Sequence, residues 1–188
     1  FLLASASFFF LASASACFLL ASASFFLTSI LSCILASVSF DFFITDKSFR
    51  AEIITSLSQW EDVADIRFIE VSDDNSADIR FGWREIDGKG GILGQTTVPS
   101  SGPLANTIVA LDVDEDWFLS GDAPVGRIDF SSTVTHEIGH AIGIDHSLSD
   151  QALMNANYST SVFKIQQDDI DAAISIYGDN NAEGIDVF

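Results

Sequence analysis

The chain has 188 residues, which is enough for one domain with a hydrophobic core. Its 27 acidic and 8 basic residues give a net charge of −19, which argues against nucleic acid or an anionic membrane surface as a partner. Such a surface can attract calcium or cationic peptides, although a solvated acidic face is the simpler explanation for most of its carboxylates. Both cysteines, Cys17 and Cys33, precede the first charged residue, so the charged part of the chain has no disulfide framework and no cysteine zinc site.

Residues 1–40 contain no charged side chain and are repetitive, since the sequence of Phe1–Ser7 recurs unchanged as Phe18–Ser24. The run is long enough to cross a bilayer, for which about 20 apolar residues suffice. It is also compatible with a secretory signal that lacks the usual basic start, or with translated repetitive DNA. We therefore set residues 1–35 aside as a hydrophobic low-complexity segment that is a signal, an anchor or spurious.

The first elements of the charged part are a strand and a helix. Residues 36–44 alternate partly and are rich in Phe, which predicts a strand. Thr45 or Asp46 can cap a helix that runs to about Trp60. Apolar side chains recur along this helix at three- and four-residue steps and predict one buried face, made of Phe49, Ile53, Ile54, Leu57 and Trp60.

The stretch from there to about residue 128 reads mainly as short strands and turns. Strands are predicted at residues 66–71, 77–83, 91–98 and 107–111. Residues 73–76 form a turn, and residues 87–94 form a glycine-rich loop that leads into a strand. This loop is not a phosphate loop, because its lysine is misplaced and no helix follows it.

All three histidines of the chain lie close together in a predicted helix and the turn after it. Polar residues at 129–132 offer caps for this helix, which runs to about Ile142. His136 and His140 lie about 40° apart around its axis and about 6 Å apart along it, so both imidazoles can reach one metal ion. Glu137 lies about 60° round from His140, beside the open position of such a metal rather than among its ligands.

The residues that follow this helix indicate a third metal ligand. Gly143 falls where a helix can end in a left-handed turn, after which the chain can double back and present His146. Three protein ligands and one open position are typical of a catalytic zinc site, whereas structural sites have four ligands.

The opposite side of the helix is apolar and should pack under the sheet through Val134, Ile138, Ala141 and Ile142.

The pattern H-E-x-x-H-x-x-G-x-x-H from His136 to His146 resembles the signature of the metzincin zinc peptidases, which a methionine turn follows. The single methionine, Met154, lies eight residues after His146. Within the metzincins, Asp145-His146-Ser147 and Ala152-Leu153-Met154 are most similar to the matrixins, the group of the matrix metalloproteinases and their bacterial relatives. A buried amphipathic helix with incidental histidines would not explain why the glycine, the third histidine and the methionine all fall at the required offsets.

The resemblance implies an α+β, zincin-like fold. It consists of a twisted, five-stranded mixed sheet with three helices, and the active-site cleft lies above a small C-terminal subdomain. The catalytic domain would span residues 36–178 and close with a helix at 167–178, leaving residues 179–188 as a tail.

The resemblance also implies a structural calcium ion. In matrixins a glycine-rich loop binds it through an aspartate side chain and backbone carbonyls, and a later acidic segment adds two carboxylates. The matching residues here are Asp87, Gly88, Gly90, Ile92, Asp112 and Glu115. Calcium prefers such hard oxygen ligands, although a flexible acidic loop is the alternative. The second, structural zinc of the animal enzymes should be missing, because Gln95 and Ala110 stand at the positions of its histidines.

The implied activity is that of a zinc-dependent endopeptidase with one catalytic zinc, in which Glu137 acts as general base towards a zinc-activated water. Substrates would be proteins or peptides that pair as an extra strand with the rim of the cleft near Gly94. Tyr158 would form a wall of the specificity pocket, and Met154 a hydrophobic floor beneath the histidines. We expect a secreted, extracellular monomer, which would associate with a membrane only if residues 1–40 act as an anchor. The alternative function is a zinc-bearing module that binds peptides without cleaving them.

Overall fold

A computed structural model describes residues 34–40, 44, 46–73, 77–119 and 124–180. The helices are α1 (Lys47–Glu61), α2 (Phe130–Ala141) and α3 (Gln167–Tyr177). The strands are β1 (Ile34–Phe40), β2 (Ile66–Glu70), β3 (Ile79–Arg84), β4 (Gly94–Thr97), β5 (Thr107–Asp112), β6 (Trp117–Phe118) and β7 (Ile128–Asp129). None of the helices in this described part of the chain is long and apolar enough to cross a membrane.

Five strands form one mixed sheet in the order β2-β1-β3-β5-β4. All neighbours in it are parallel except β4, which runs antiparallel to β5 with Gly94 opposite Leu111 and Thr97 opposite Ile108. β4 is an edge strand, and no strand in the described ranges pairs with its outer side. The predicted α+β fold, with a five-stranded mixed sheet and three helices, is confirmed.

The boundaries of two strands differ from the predicted ones, β1 because of its pairing in the sheet and β4 because of a side chain. β1 begins at Ile34 because that residue pairs with Ile66 in the sheet, and residues 41–43 of the predicted strand lie outside the described residues. β4 begins at Gly94 rather than at residue 91, because the preceding residues turn around Asp87, whose Oδ1 accepts the Ile92 N–H at 2.9 Å. Residues 74–76 of the predicted turn also lie outside the described part.

The short strands β6 and β7 form a separate parallel pair that the sequence did not predict. A two-residue strand is too short to show the alternation by which strands are recognised in a sequence.

Helix α1 buries a narrower face than the sequence predicted. It begins after Asp46, whose side chain accepts the Ser48 N–H at 2.8 Å. Ile53, Leu57 and Trp60 are buried, but Ile54 is 47% exposed, so its predicted burial is wrong. Successive helix residues point about 100° apart, so Ile54 turns away when Ile53 faces the core.

Helix α2 packs against the sheet at β4 and β5, as predicted, and against α1. The predicted residues Val134, Ile138 and Ala141 of this helix are fully buried, and so is Ile142 directly after it. The indole Nε1 of Trp60 donates to the backbone oxygen of Thr135 at 3.1 Å and ties α1 to α2. Full burial of a Val or Ile side chain contributes about 1.5–3 kcal/mol, so this packing fixes α2 firmly under the sheet.

Candidate active site

Helix α2 holds the first two histidines in fixed positions. Asp129 caps the helix, because its Oδ1 accepts the Ser132 N–H at 2.7 Å. One turn apart near the other end, the rings of His136 and His140 have centroids 4.7 Å apart. Two imidazoles therefore point to the same side of a helix that the core holds in place.

The turn after α2 brings the third histidine to the first two. Gly143 has φ +95°, the left-handed conformation that the sequence predicted for this position. The Ile144 N–H donates to the Gly139 oxygen at 2.9 Å, and the chain then reverses. As a result Nε2 of His146 lies 3.1 Å from Nε2 of His140.

The donor atoms of this triad fit a zinc ion. Nδ1 of His136 lies 2.8 Å from the Leu153 carbonyl, and Nδ1 of His140 lies 2.8 Å from the Ile144 carbonyl. A carbonyl only accepts, so Nδ1 carries the proton in both rings and Nε2 keeps a free lone pair. The lone pair of His140 Nε2 faces His146 Nε2 at 3.1 Å, so a proton or a cation must lie between these two atoms. Neutral imidazoles whose second nitrogen is tied to a carbonyl are the usual ligands of zinc.

Burial favours the neutral form of the His136 and His140 imidazoles. It lowers the pKa of His136 to about 4, although the hydrogen bond to the Leu153 carbonyl acts in the opposite direction. Burial lowers the pKa of His140 as well. Ligand atoms of the three rings all lie within 4.8 Å of one another. In the described ranges, no other group of three or more His, Cys, Asp or Glu converges so closely.

The carboxylate of Glu137 lies beside the triad, between α2 and the edge strand β4. The residue is 6% exposed, and its Oε2 accepts a hydrogen bond from Oγ1 of Thr96 at 2.7 Å. A Cβ on Gly94 would lie only 2.9 Å from Cγ of Glu137, so the glycine makes room for this side chain. Burial raises the pKa of Glu137 to about 7, and the hydrogen bond from Thr96 lowers it in part.

Met154 packs beneath the histidine helix, where the sequence predicted a hydrophobic floor. It is 1% exposed, and a Cβ on Gly139 would lie 2.4 Å from its sulfur. The Met154 carbonyl accepts the Ser147 N–H at 2.8 Å, which joins the methionine turn to the segment that carries the third histidine.

Asp169 supports this turn, although the sequence analysis did not single it out. Its buried carboxylate accepts the N–H groups of Leu153 at 2.8 Å, Met154 at 3.0 Å and Gln166 at 2.7 Å. The sequence signal available was the capping pattern Gln166-x-x-Asp169 at the start of α3. That pattern explains the bond to Gln166, but it does not reveal the two bonds to the methionine turn.

A cleft of about 330 Å³ opens beside the triad and contains both predicted substrate-binding residues. Its lining includes Gly94, Thr133, His136, Glu137, Tyr158 and Val162. The hydroxyl oxygen of Tyr158 accepts the backbone N–H of Asp129 at 2.9 Å, which fixes the ring against the start of α2. The cleft has the size and the mostly apolar wall of an ordinary ligand site.

The residues predicted to bind calcium also come together, at the end of β5. Asp112 Oδ2 accepts the N–H groups of Asp87 at 3.2 Å and Gly88 at 3.1 Å. Oε1 of Glu115 accepts the Gly90 N–H at 2.6 Å. Burial opposes the charge on Asp112, but hydrogen bonds from backbone N–H groups prevail and lower its pKa. The carboxylates thus bind the loop directly through its amides.

Comparison with known proteins agrees with this geometry. The model of the Matrixin family matches residues 31–178. Metalloendoproteinase 1 of Glycine max is 34% identical over 149 residues, 72% of this chain and 47% of that protein. Karilysin of Tannerella forsythia is 32% identical over 136 residues, 67% of this chain and 28% of that protein. Human matrix metalloproteinase-26 is 30% identical over 145 residues, 71% of this chain and 52% of that protein.

The chain thus spans about half, or less, of the length of these relatives. The family match covers most of the chain and includes the histidine triad, Glu137 and the methionine turn. The chain belongs to the matrixin family.

Proposed function

We propose that the chain is a zinc-dependent endopeptidase. The observation that carries this proposal is the convergence of three imidazoles within 4.8 Å, beside the carboxylate of Glu137 and at the wall of an open cleft. Its membership of the matrixin family and the names of its relatives, such as metalloendoproteinase, support the same activity.

In this proposal His136, His140 and His146 hold the zinc through Nε2 atoms or the free nitrogen of the third ring. Bound zinc supplies a Lewis acid that polarises the scissile carbonyl and lowers the pKa of a water to about 7. Glu137 accepts a proton from the attacking water at a carboxylate oxygen and later delivers it to the nitrogen of the leaving amine. Its shielded place against Gly94 keeps it out of the set of metal ligands and close to the cleft.

Substrate would bind as an extended peptide along the outer side of β4. No strand in the described part of the chain pairs with that edge, and an added strand there would run past Gly94 and over Glu137. Tyr158 and Val162 would contact one side chain of this peptide within the cleft. Because Tyr158 and Val162 carry no charge, this part of the cleft favours an uncharged substrate side chain.

We propose that the loop from Asp87 to Ile92, together with Asp112 and Glu115, binds a structural calcium ion. Support comes from two buried carboxylates, Asp112 and Glu115, which converge on a loop with left-handed glycines at 88 and 90. Calcium would use these carboxylates, that of Asp87 and loop carbonyls. Thermal unfolding with calcium and with EGTA tests this, because a calcium-dependent rise in Tm should disappear in Asp112→Asn.

For the localisation we propose secretion as a monomer, and the uncharged first 40 residues are compatible with an export signal. Fractionation of expressing cells tests this: activity in the medium supports secretion, and activity confined to membranes indicates an anchor.

The experiment for the activity combines metal content with cleavage. The full chain, purified with calcium, is analysed for zinc and assayed on a quenched protein substrate with and without 1,10-phenanthroline. We expect about one zinc per chain and cleavage that the chelator abolishes. Zinc without cleavage would instead indicate the peptide-binding module, and a folded chain without zinc would overturn the proposal.

A further inference from the structure

Strand β4 contacts Glu137 through two alternate residues, Gly94 and Thr96. The side chains of a strand alternate between its two sides, and Gly94 and Thr96 lie on the side that faces α2. Oγ1 of Thr96 lies 2.7 Å from Oε2 of Glu137 and 3.0 Å from the backbone oxygen of the same residue. Thr96 therefore contacts both the carboxylate and the main chain of Glu137 across 41 residues of sequence.

The carboxylate is the preferred acceptor of the Thr96 proton. A hydroxyl group has one proton to donate, and bonds to ionised acceptors are shorter and stronger than bonds to neutral ones. The shorter of the two distances leads to Oε2, as this preference requires. Thr96 is only half-buried, but Glu137 is 6% exposed, so water cannot easily replace this bond at Oε2.

The second oxygen of the carboxylate, Oε1, lies beside Gly94, which lines the cleft. Oε1 would be 3.1 Å from a Cβ placed on Gly94, and both Gly94 and Glu137 line the cleft. The two contacts with β4 thus give the two oxygens different surroundings, one bound to Thr96 and the other beside the space for substrate.

We propose that Thr96 is a positioning residue for Glu137, which holds Oε2 and leaves Oε1 as the atom that moves the proton. This rests on the proposed function, in which Glu137 is the general base. The O–H bond of the attacking water breaks as its proton joins Oε1, while the water oxygen forms a bond to the carbon of the scissile amide. The same proton then passes to the amide nitrogen as the C–N bond breaks, so Glu137 returns to its starting form.

Strand β4 would thereby couple the binding of substrate to the position of Glu137. The peptide would pair with the outer backbone edge of β4, and the side chain of Thr96 on the α2-facing surface of the same strand orients the base. A displacement of β4 would move Thr96 and therefore Glu137. Such a displacement would slow the reaction, because a misplacement of about 1 Å can cost about 100-fold in rate.

The experiment compares two replacements of Thr96 with one matched control. Thr96→Val keeps the shape and removes the hydroxyl, whereas Thr96→Ser keeps the hydroxyl and removes a methyl group. The control is Thr107→Val on β5, because Thr107 is fully buried and its Oγ1 has no hydrogen-bond partner. We expect kcat of Thr96→Val to fall about 10- to 100-fold with KM unchanged, as for a lost bond to a charged group. Thr96→Ser should retain most of the activity, and Thr107→Val all of it.

A second measurement needs no metal and no turnover. Urea unfolding of the metal-free protein is compared for wild type, Thr96→Val, Glu137→Ala and the double variant. We expect Thr96→Val to lower the unfolding midpoint more in the wild-type background than after Glu137 is replaced, when only the backbone oxygen of residue 137 remains as an acceptor. Additive effects would show that the contact does not form in solution and would overturn the proposal even if a variant is too unstable to assay.

The outcomes separate this proposal from the general function. Wild-type kcat in Thr96→Val, or an equal loss in Thr96→Val and Thr96→Ser, would overturn the positioning role and leave the peptidase intact. A zinc-loaded wild type without cleavage would refute the proposed function itself, while the unfolding cycle would still report whether Thr96 holds Glu137.

Discussion

Replacement of Asp169 by Asn should weaken both the fold and the zinc site, because this one carboxylate supports the methionine turn. Its Oδ2 accepts the N–H groups of Leu153 and Gln166, and its Oδ1 accepts the N–H of Met154. Asn has the same shape but only one acceptor oxygen. The least costly orientation keeps the two bonds at the Oδ2 position and turns the amide NH₂ towards the Met154 N–H.

The magnitude follows from that orientation. Asp169→Asn loses one hydrogen bond to a charged group and leaves a buried N–H without a partner, and each of these costs about 1–3 kcal/mol. The two bonds that remain also become weaker, because their acceptor oxygen is no longer charged. We therefore expect the free energy of unfolding to fall by about 3 kcal/mol, which is a large fraction of the 5–15 kcal/mol typical of a domain.

The same change should reach the metal site through Leu153. Its N–H is held by Asp169, and its carbonyl accepts Nδ1–H of His136 at 2.8 Å. Partners that orient a ligand in this way are worth about 10- to 100-fold in metal affinity. We expect Asp169→Asn to bind zinc about 10-fold more weakly than the wild type.

Urea unfolding of the metal-free protein measures the first effect, and competition for zinc with a chromogenic chelator measures the second. The matched control is Asp168→Asn, since Asp168 is exposed in the same turn of α3. That variant should lose only a few tenths of a kcal/mol, its favourable interaction with the helix dipole. The reasoning is refuted if Asp169→Asn resembles Asp168→Asn in both assays.

Three further variants test local features. Gly94→Ala should lower kcat with little loss of zinc in a cleavage assay, because its Cβ would lie 2.9 Å from Cγ of Glu137 and displace that side chain. Gly143→Ala should lower the unfolding free energy by about 1–2 kcal/mol in urea, because residue 143 has φ +95°. Burial, and then the charge of Asp129, raise the pKa of Glu52 above its ordinary value of 4.5. Ionisation of Glu52 therefore opposes folding as the pH rises above 4.5, so Glu52→Gln should be more stable than wild type at pH 7 and equally stable near pH 4. An equal gain at both pH values would contradict this.

The sequence predicted the helices and the convergence of the three histidines well, because both depend on local spacing. The periodicity of α2 fixes where His136 and His140 point, and the glycine at 143 permits the turn that presents His146. The same periodicity identified the buried side of α2. It failed for Ile54, where two adjacent apolar residues compete for one narrow buried face.

The contacts that orient the site could not be read from local patterns. Thr96 meets Glu137 across 41 residues, and Asp169 meets Leu153 across 16. Such pairs depend on how β4 and α3 are placed against α2, which the packing of the whole domain determines. Nor does spacing alone show that Asp112 and Glu115 hold the loop through its N–H groups.

The central claim is that Glu137 moves the proton in a zinc-dependent cleavage, and Glu137→Gln tests it most directly. Gln has nearly the same shape, and its oxygen can still accept the Thr96 hydroxyl proton, but it cannot act as a base at neutral pH. Zinc content and cleavage of a quenched protein substrate are measured on the same samples of wild type and Glu137→Gln. We expect about one zinc per chain in both and chelator-sensitive cleavage in the wild type alone. Cleavage by Glu137→Gln at the wild-type rate would contradict the account.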